Sequence, residues 1–113
     1  MTRILVVESK QKRSLSCKAE GHASFAGKGK DIVCASVTIL IRTVMQVLSE
    51  IDGLEFESDF SRRGMIQFHA VLKEAVTENV VQLECIGKLL VKGFLGLEQE
   101  FPQNISFDYK LED

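Results

Sequence analysis

Gly21-His22-Ala23-Ser24-Phe25-Ala26-Gly27-Lys28-Gly29-Lys30-Asp31-Ile32-Val33-Cys34-Ala35-Ser36-Val37-Thr38 joins two kinds of sequence. The residues before this stretch alternate apolar and polar like a strand, whereas those of its last third and beyond are apolar at helical spacing. Asp31 therefore marks a helix start, because its carboxylate can accept the backbone N–H groups two and three residues on. Cys34 is the third residue after it and falls in the first turn. Unpaired N–H groups and the positive end of the helix dipole favour an anion there, and the thiolate is the nucleophilic form of cysteine. Gly21, Gly27 and Gly29 allow backbone turns that other residues resist, so the loop could fold over a bound molecule. His22 stands at the other end of that loop, and a base beside a cysteine is the usual way to activate it. The bland alternative is a plain strand-to-helix connection with Lys28 and Lys30 solvated. A nucleotide-binding loop is discounted, since neither G-x-x-x-x-G-K-[ST] nor G-x-G-x-x-G is present.

Working upstream, Arg3 to Glu8 reads as a strand with apolar residues on both faces, which predicts a central position. Ser9 to Lys12 reads as a hairpin turn. Arg13 to Glu20 alternates, with Leu15, Cys17 and Ala19 on one face, so Cys17 reads as a buried small hydrophobe. Downstream, Asp31 to about Ile51 is a helix apolar nearly all round, a pattern that predicts burial on most sides. Cys34 and Thr38, four apart, share a face; a helical threonine hydroxyl commonly bonds the carbonyl one turn back. Asp52-Gly53 stops the helix.

Leu54 to Phe60 and Met65 to Lys73 read as a hairpin around Ser61-Arg62-Arg63-Gly64. Ile66, Phe68, Ala70 and Leu72 fall on its core face and His69 on the other. Thr77 is read as the N-cap of a second helix running to about Glu100. Its stripe is Leu83, Ile86, Leu90, Phe94, Leu97 and Phe101, with Cys85 off the stripe and read as structural. Gly87, Gly93 and Gly96 each weaken a helix by about 1 kcal/mol relative to alanine; close backbone approach to the first helix or a second subunit would offset that. Pro102 ends the helix, and Ile105 to Leu111 alternates as a last strand. The order is ββα-ββ-αβ. The fold class is α+β, a two-layer sandwich in which two helices cover one face of one mostly antiparallel sheet.

The 113 residues predict one domain, 1–113. Hydrophobic residues at 45% and charged residues at 27% argue against disorder. A net charge of −2 disfavours direct nucleic-acid binding, which needs a basic surface. Three cysteines form no close pair in sequence, and the apolar run Ile4 to Val7 is too short for a signal-peptide core. The apolar stretch of the first helix is interrupted by polar residues and is no membrane span. A reducing, cytoplasmic location is expected. No two of Cys17, His22, Cys34, His69 and Cys85 have metal-ligand spacing, so neither a metal nor a cofactor is expected.

The pattern Gly21-His22-Ala23, a glycine-rich gap, then Asp31-Ile32-Val33-Cys34-Ala35 resembles the ribosomal-processing cysteine protease family. The resemblance runs through most of the chain and returns near the C-terminus in GFLGLEQEFPQNISF. Thr38 stands where the family usually has serine, and Ser36 where a small apolar residue is more usual. The resemblance implies a nucleophile at Cys34, a general base and acid at His22, and supporting roles for Asp31 and Thr38. It implies a small α/β fold, a homodimer, and a substrate that is a large-subunit ribosomal protein precursor, cut at a hydrophobic, aromatic-containing motif in its N-terminal extension. Backbone N–H groups at the helix start are candidate oxyanion donors, and His69 is the rival base. The alternative function is a non-enzymatic ribosome-assembly or interaction module, in which the same residues serve loop and helix architecture only.

Overall fold

In the computed structural model, which describes residues 1–21, 31–74 and 76–112, each alternating run of the sequence becomes a strand. The strands are β1 (Thr2–Ser9), β2 (Ser14–Glu20), β3 (Leu54–Asp59), β4 (Met65–Leu72) and β5 (Ile105–Glu112); the helices are α1 (Ile32–Leu48) and α2 (Thr77–Glu100). The strands form one sheet in the order β3-β4-β2-β1-β5. Three neighbouring pairs are antiparallel, and β1 and β5 run parallel. The mostly antiparallel α+β expectation therefore holds. β1 is interior, flanked by β2 and β5, while β2 is the middle strand.

Alternation sends one face of each strand to a common core. Ile4 and Val6, Leu15, Cys17 and Ala19, Phe68, Ala70 and Leu72, and Ile105 and Phe107 are all buried in one cluster. Both helices pack on that face, α1 through Val33, Val37, Ile41, Val44 and Leu48, and α2 through Leu83, Leu90 and Phe94. The Phe94 and Phe107 rings lie 5.6 Å apart and tilted, an arrangement that adds to simple area burial. Phe107 N–H donates to the Glu98 carboxylate at 2.8 Å, which ties β5 to the last turns of α2. Cys17 is buried as expected, and burial alone pushes its thiol up to about 12.

Several local expectations need correction. α1 ends at Leu48, not Ile51: Ser49 caps it, and Glu50 and Ile51 continue in bonds to Val47 and Leu48, the tighter three-residue spacing. Nor is α1 buried all round. Its buried residues form one stripe, and Ile32, Ile39 and Val47 face outward. Thr77 is the first helical residue of α2; Val76 occupies the cap position, with no side-chain cap bond. Cys85 lies on the exposed side of α2 and is not part of the core. The α2 glycines divide three ways. A Cβ on Gly93 would come within 2.7 Å of Leu40 on α1, one on Gly87 would strike the Glu8 carboxylate of β1, and one on Gly96 would meet nothing.

Candidate active site

Asp31 precedes α1 in extended backbone (φ −81°, ψ 93°), and its Oδ1 accepts the Val33 N–H at 3.0 Å and the Cys34 N–H at 2.9 Å. One carboxylate oxygen thus satisfies two of the turn's unpaired donors, and its charge faces the positive end of the helix. The Ala35 N–H donates to the Asp31 carbonyl at 3.1 Å. Among the helix-start N–H groups considered as oxyanion donors, those of Val33 and Cys34 are already engaged by the cap. Ile32 is left as the first-turn donor outside these bonds.

Cys34 is half-buried and lines a cavity of about 280 Å³. Thr38 and Arg42, four and eight residues further along α1, line it too, as helical periodicity requires of residues on one face. The predicted pairing of Cys34 with Thr38 is thus present. The hydroxyl that bonds a carbonyl one turn back is that of Ser36, to Ile32 at 2.7 Å; among the described residues, no such bond joins Thr38 to its helix.

Strand pairing supplies the remaining walls. β1 is antiparallel to β2 with Arg3 opposite Glu20, and β4 is antiparallel to β2 with Met65 opposite Glu20. The start of β1, the end of β2 and the start of β4 therefore meet at one end of the sheet, where Thr2, Ala19, Gly21, Gly64 and Met65 all border the cavity. The Gly21 N–H donates to the Gly64 carbonyl at 2.8 Å. Gly21 has φ +93°, and a Cβ there would collide with the Met1 carbonyl oxygen, so this position needs glycine on both grounds. The β3–β4 loop completes the wall with Phe60, Arg62 and Arg63. Its shape is set by Asp59, whose Oδ1 accepts the Ser61 N–H at 3.0 Å and the Ser61 hydroxyl at 2.7 Å. Those two bonds, with a smaller contribution from Arg62, hold the Asp59 carboxyl below its ordinary value.

His22, Gly27 and Gly29 lie outside the described residues, so the proposed partnership of His22 with Cys34 is carried by sequence. The rival base His69 is exposed and does not border the cavity. No grouping of three or more metal-ligating side chains occurs among the described residues. The described helices include none long and apolar enough to cross a membrane. Sequence reasoning missed Thr2, Phe60, Arg42, Arg62 and Arg63. Arg42 was accessible to it, since it continues the Cys34–Thr38 spacing; the others depend on strand order.

The fold recurs in solved structures. The ribosomal processing protease Prp of Staphylococcus aureus, in complex with a covalently linked product peptide, superposes with a TM-score of 0.78 at 18% identity, covering 97% of this chain and 100% of that one. Its complex with a substrate peptide gives 0.69 at 19% identity over 97% and 100%. A protein from Streptococcus mutans gives 0.71 at 19% identity over 99% and 96%. At such identities the likeness establishes a shared fold. No curated protein sequence matches the chain. The family model described as cysteine protease Prp matches residues 1–106, nearly the whole chain and every segment that builds the Cys34 cavity, and on that match the chain belongs to the cysteine protease Prp family.

Proposed function

We propose that the chain is a cysteine endopeptidase that removes a short N-terminal extension from a large-subunit ribosomal protein during ribosome assembly. The observation that carries this reading is Cys34 itself, fixed in a capped first turn and opening on a cavity bordered by three strands and a loop. In the proposed reaction the Cys34 thiolate attacks the scissile carbonyl, forming an S–C bond, and His22 takes the thiol proton and returns it to the leaving amine. Water then cleaves the thioester, releasing the acid and regenerating the thiol. Because Asp31 already engages the Val33 and Cys34 amides, oxyanion charge falls to other donors. Asp31 acts through the helix that carries Cys34, and Thr38 borders the same cavity. The S. aureus structures, which hold a substrate peptide in one case and a covalently linked product in the other, support an extended peptide as the ligand class.

With this reading go a single catalytic domain, a cytoplasmic location and a homodimer. The test incubates the wild type and Cys34→Ala with the host's full-length precursor of the ribosomal protein and reads the N-terminus by mass spectrometry. Shortening by the wild type alone is expected. Equal shortening by Cys34→Ala would remove Cys34 from the mechanism, and an uncut precursor would favour the non-enzymatic alternative.

A further inference from the structure

Thr2 stands where packing alone asks for an apolar residue. It heads the core-facing row of β1, whose next members are Ile4 and Val6, and the three are 3%, 2% and 0% exposed. Valine has the same branched shape, suits a strand equally well and carries no polar atom. Thr2 instead buries a hydroxyl, and among the described residues this is the buried side-chain polar atom left without a hydrogen-bond partner. Ser9, the other buried polar side chain found there, accepts the Lys12 N–H at 3.1 Å. Native chains leave few such groups unbonded, because a buried polar group without a partner costs stability. The backbone of Thr2 is held on its strand: it pairs with Ile105 of β5, and its N–H donates to the Asn104 carbonyl at 2.9 Å.

That strand end is a wall of the Cys34 cavity. Thr2 borders the cavity together with Ala19, Val37, Met65 and Ile66, all apolar. A ligand seated against such a wall does so through apolar side chains, and the polar groups it brings along are those of its main chain. Rotation about the Thr2 Cα–Cβ bond moves the hydroxyl between staggered positions, so a group buried in the free chain can turn to meet a ligand.

We infer that Thr2 is a ligand-binding residue, whose hydroxyl is held in reserve in the free protein and donates to a main-chain carbonyl of the peptide presented to Cys34. Such a bond sets the register of the peptide without selecting its side chains. The inference rests on the proposed peptidase reading, and the experiment separates the two.

Its first arm needs no substrate. Thr2→Val removes the hydroxyl and keeps the shape, so it should melt about 4 °C above wild type. Thr2→Ser keeps the hydroxyl and loses a buried methyl, so it should melt below wild type. A Thr2→Val protein that melts at or below wild type would show that the hydroxyl is already bonded in the free chain, by another segment or by water, and overturns the inference.

The second arm is cleavage of the host's ribosomal-protein precursor, read by mass spectrometry. Despite its greater stability, Thr2→Val should cut with a kcat/KM about five- to tenfold below wild type, the worth of one hydrogen bond, and Thr2→Ser should recover most of that loss. A purely structural Thr2 would leave kcat/KM of the more stable variant at the wild-type value, and that result overturns the inference.

The third arm reads binding without turnover. Peptides spanning the N-terminal extension and its junction are titrated calorimetrically into Cys34→Ala and into Cys34→Ala/Thr2→Val, with each amide in turn replaced by an ester, whose carbonyl is the weaker acceptor. At one position the ester should cost Cys34→Ala about fivefold more affinity than it costs the double variant. Equal losses at every position overturn the inference. If melting and binding behave as expected and no precursor is cut, Thr2 stands as a ligand contact and the peptidase reading falls. If neither variant binds any of the peptides, both fall.

Discussion

Replacing Asp31 with alanine removes the oxygen that accepts both the Val33 and the Cys34 N–H. Loss of an N-cap side chain costs about 0.5–2 kcal/mol. The upper half of that range applies here, because one ionised oxygen serves two donors in a part-buried setting and charge-assisted bonds are the stronger kind. Asp31→Asn retains an amide oxygen at the cap and loses the charge, so its loss should be confined to the charge–dipole contribution of about 0.3–1 kcal/mol. Urea unfolding distinguishes the two. With a slope near 1–1.5 kcal/mol/M for a chain this size, Asp31→Ala should lower the midpoint by on the order of 1 M, and Asp31→Asn by less than half as much. Hydrogen exchange gives the local reading: the Val33 and Cys34 amides should exchange faster in Asp31→Ala, while core amides of β2 change only with global stability. If both variants lose the same stability, the charge and not the two bonds fixes this turn. If the Val33 and Cys34 amides keep their protection in Asp31→Ala, the cap does not hold Cys34.

Two further substitutions separate the α2 glycines. Gly96→Ala meets no atom within 4 Å and should raise the melting temperature by about 4 °C, whereas Gly87→Ala drives a methyl into the Glu8 carboxylate and should lower it; a drop in Gly96→Ala would mean that this stretch is covered by something in solution. Glu8 also predicts a pH dependence. Burial first and the Glu84 carboxylate second push its carboxyl above the ordinary 4.5, with Lys10 pulling the other way. A carboxyl raised in the folded state contributes stability that is complete below its unfolded value and is lost as pH rises through the folded one. Glu8→Gln should therefore gain urea resistance relative to wild type as pH climbs from 4.5 towards neutrality; a gap that narrows over that window would give the wrong sign.

Local chemistry made the elements legible. Asp31 as a cap, Pro102 as a stop and the Ser61–Gly64 hairpin all act over a few residues and appear where their chemistry places them, whereas Gly53, read as the stop of α1, lies past its Ser49 cap and leads into β3. α1 shows where this fails. Val33, Val37, Ile41, Val44 and Leu48 recur by fours and a three and form the buried stripe, but Ile32, Ile39 and Val47 blur it with side chains of the same hydrophobicity. Composition cannot tell an apolar residue that is covered from one that is not. The site divides in the same way. Cys34 and Thr38 share a face by periodicity alone. Arg62 and Arg63 reach them only because β4 pairs with β2, and strand order is a long-range choice that an alternating pattern leaves open.

Of the four α1 residues that line the cavity, buried Val37 belongs to the core, and the other three each come directly after a buried residue. Cys34 succeeds Val33, Thr38 succeeds Val37 and Arg42 succeeds Ile41, and those three anchors are 0%, 4% and 0% exposed. One step along a helix turns the side chain by about 100°, so the row that borders the cavity lies beside the row that fills the core. The position of Cys34 is therefore set mainly by the packing of these buried neighbours, against which Cys34 itself is only partly buried. Truncating Val33 or Ile41 would leave a void beside the sheet and shift the backbone that presents the thiol. Changing Thr38 or Arg42 alters what the cavity offers a ligand with little change in stability, since both are exposed. The same separation lets Thr38 and Arg42 vary while the helix that holds Cys34 stays fixed.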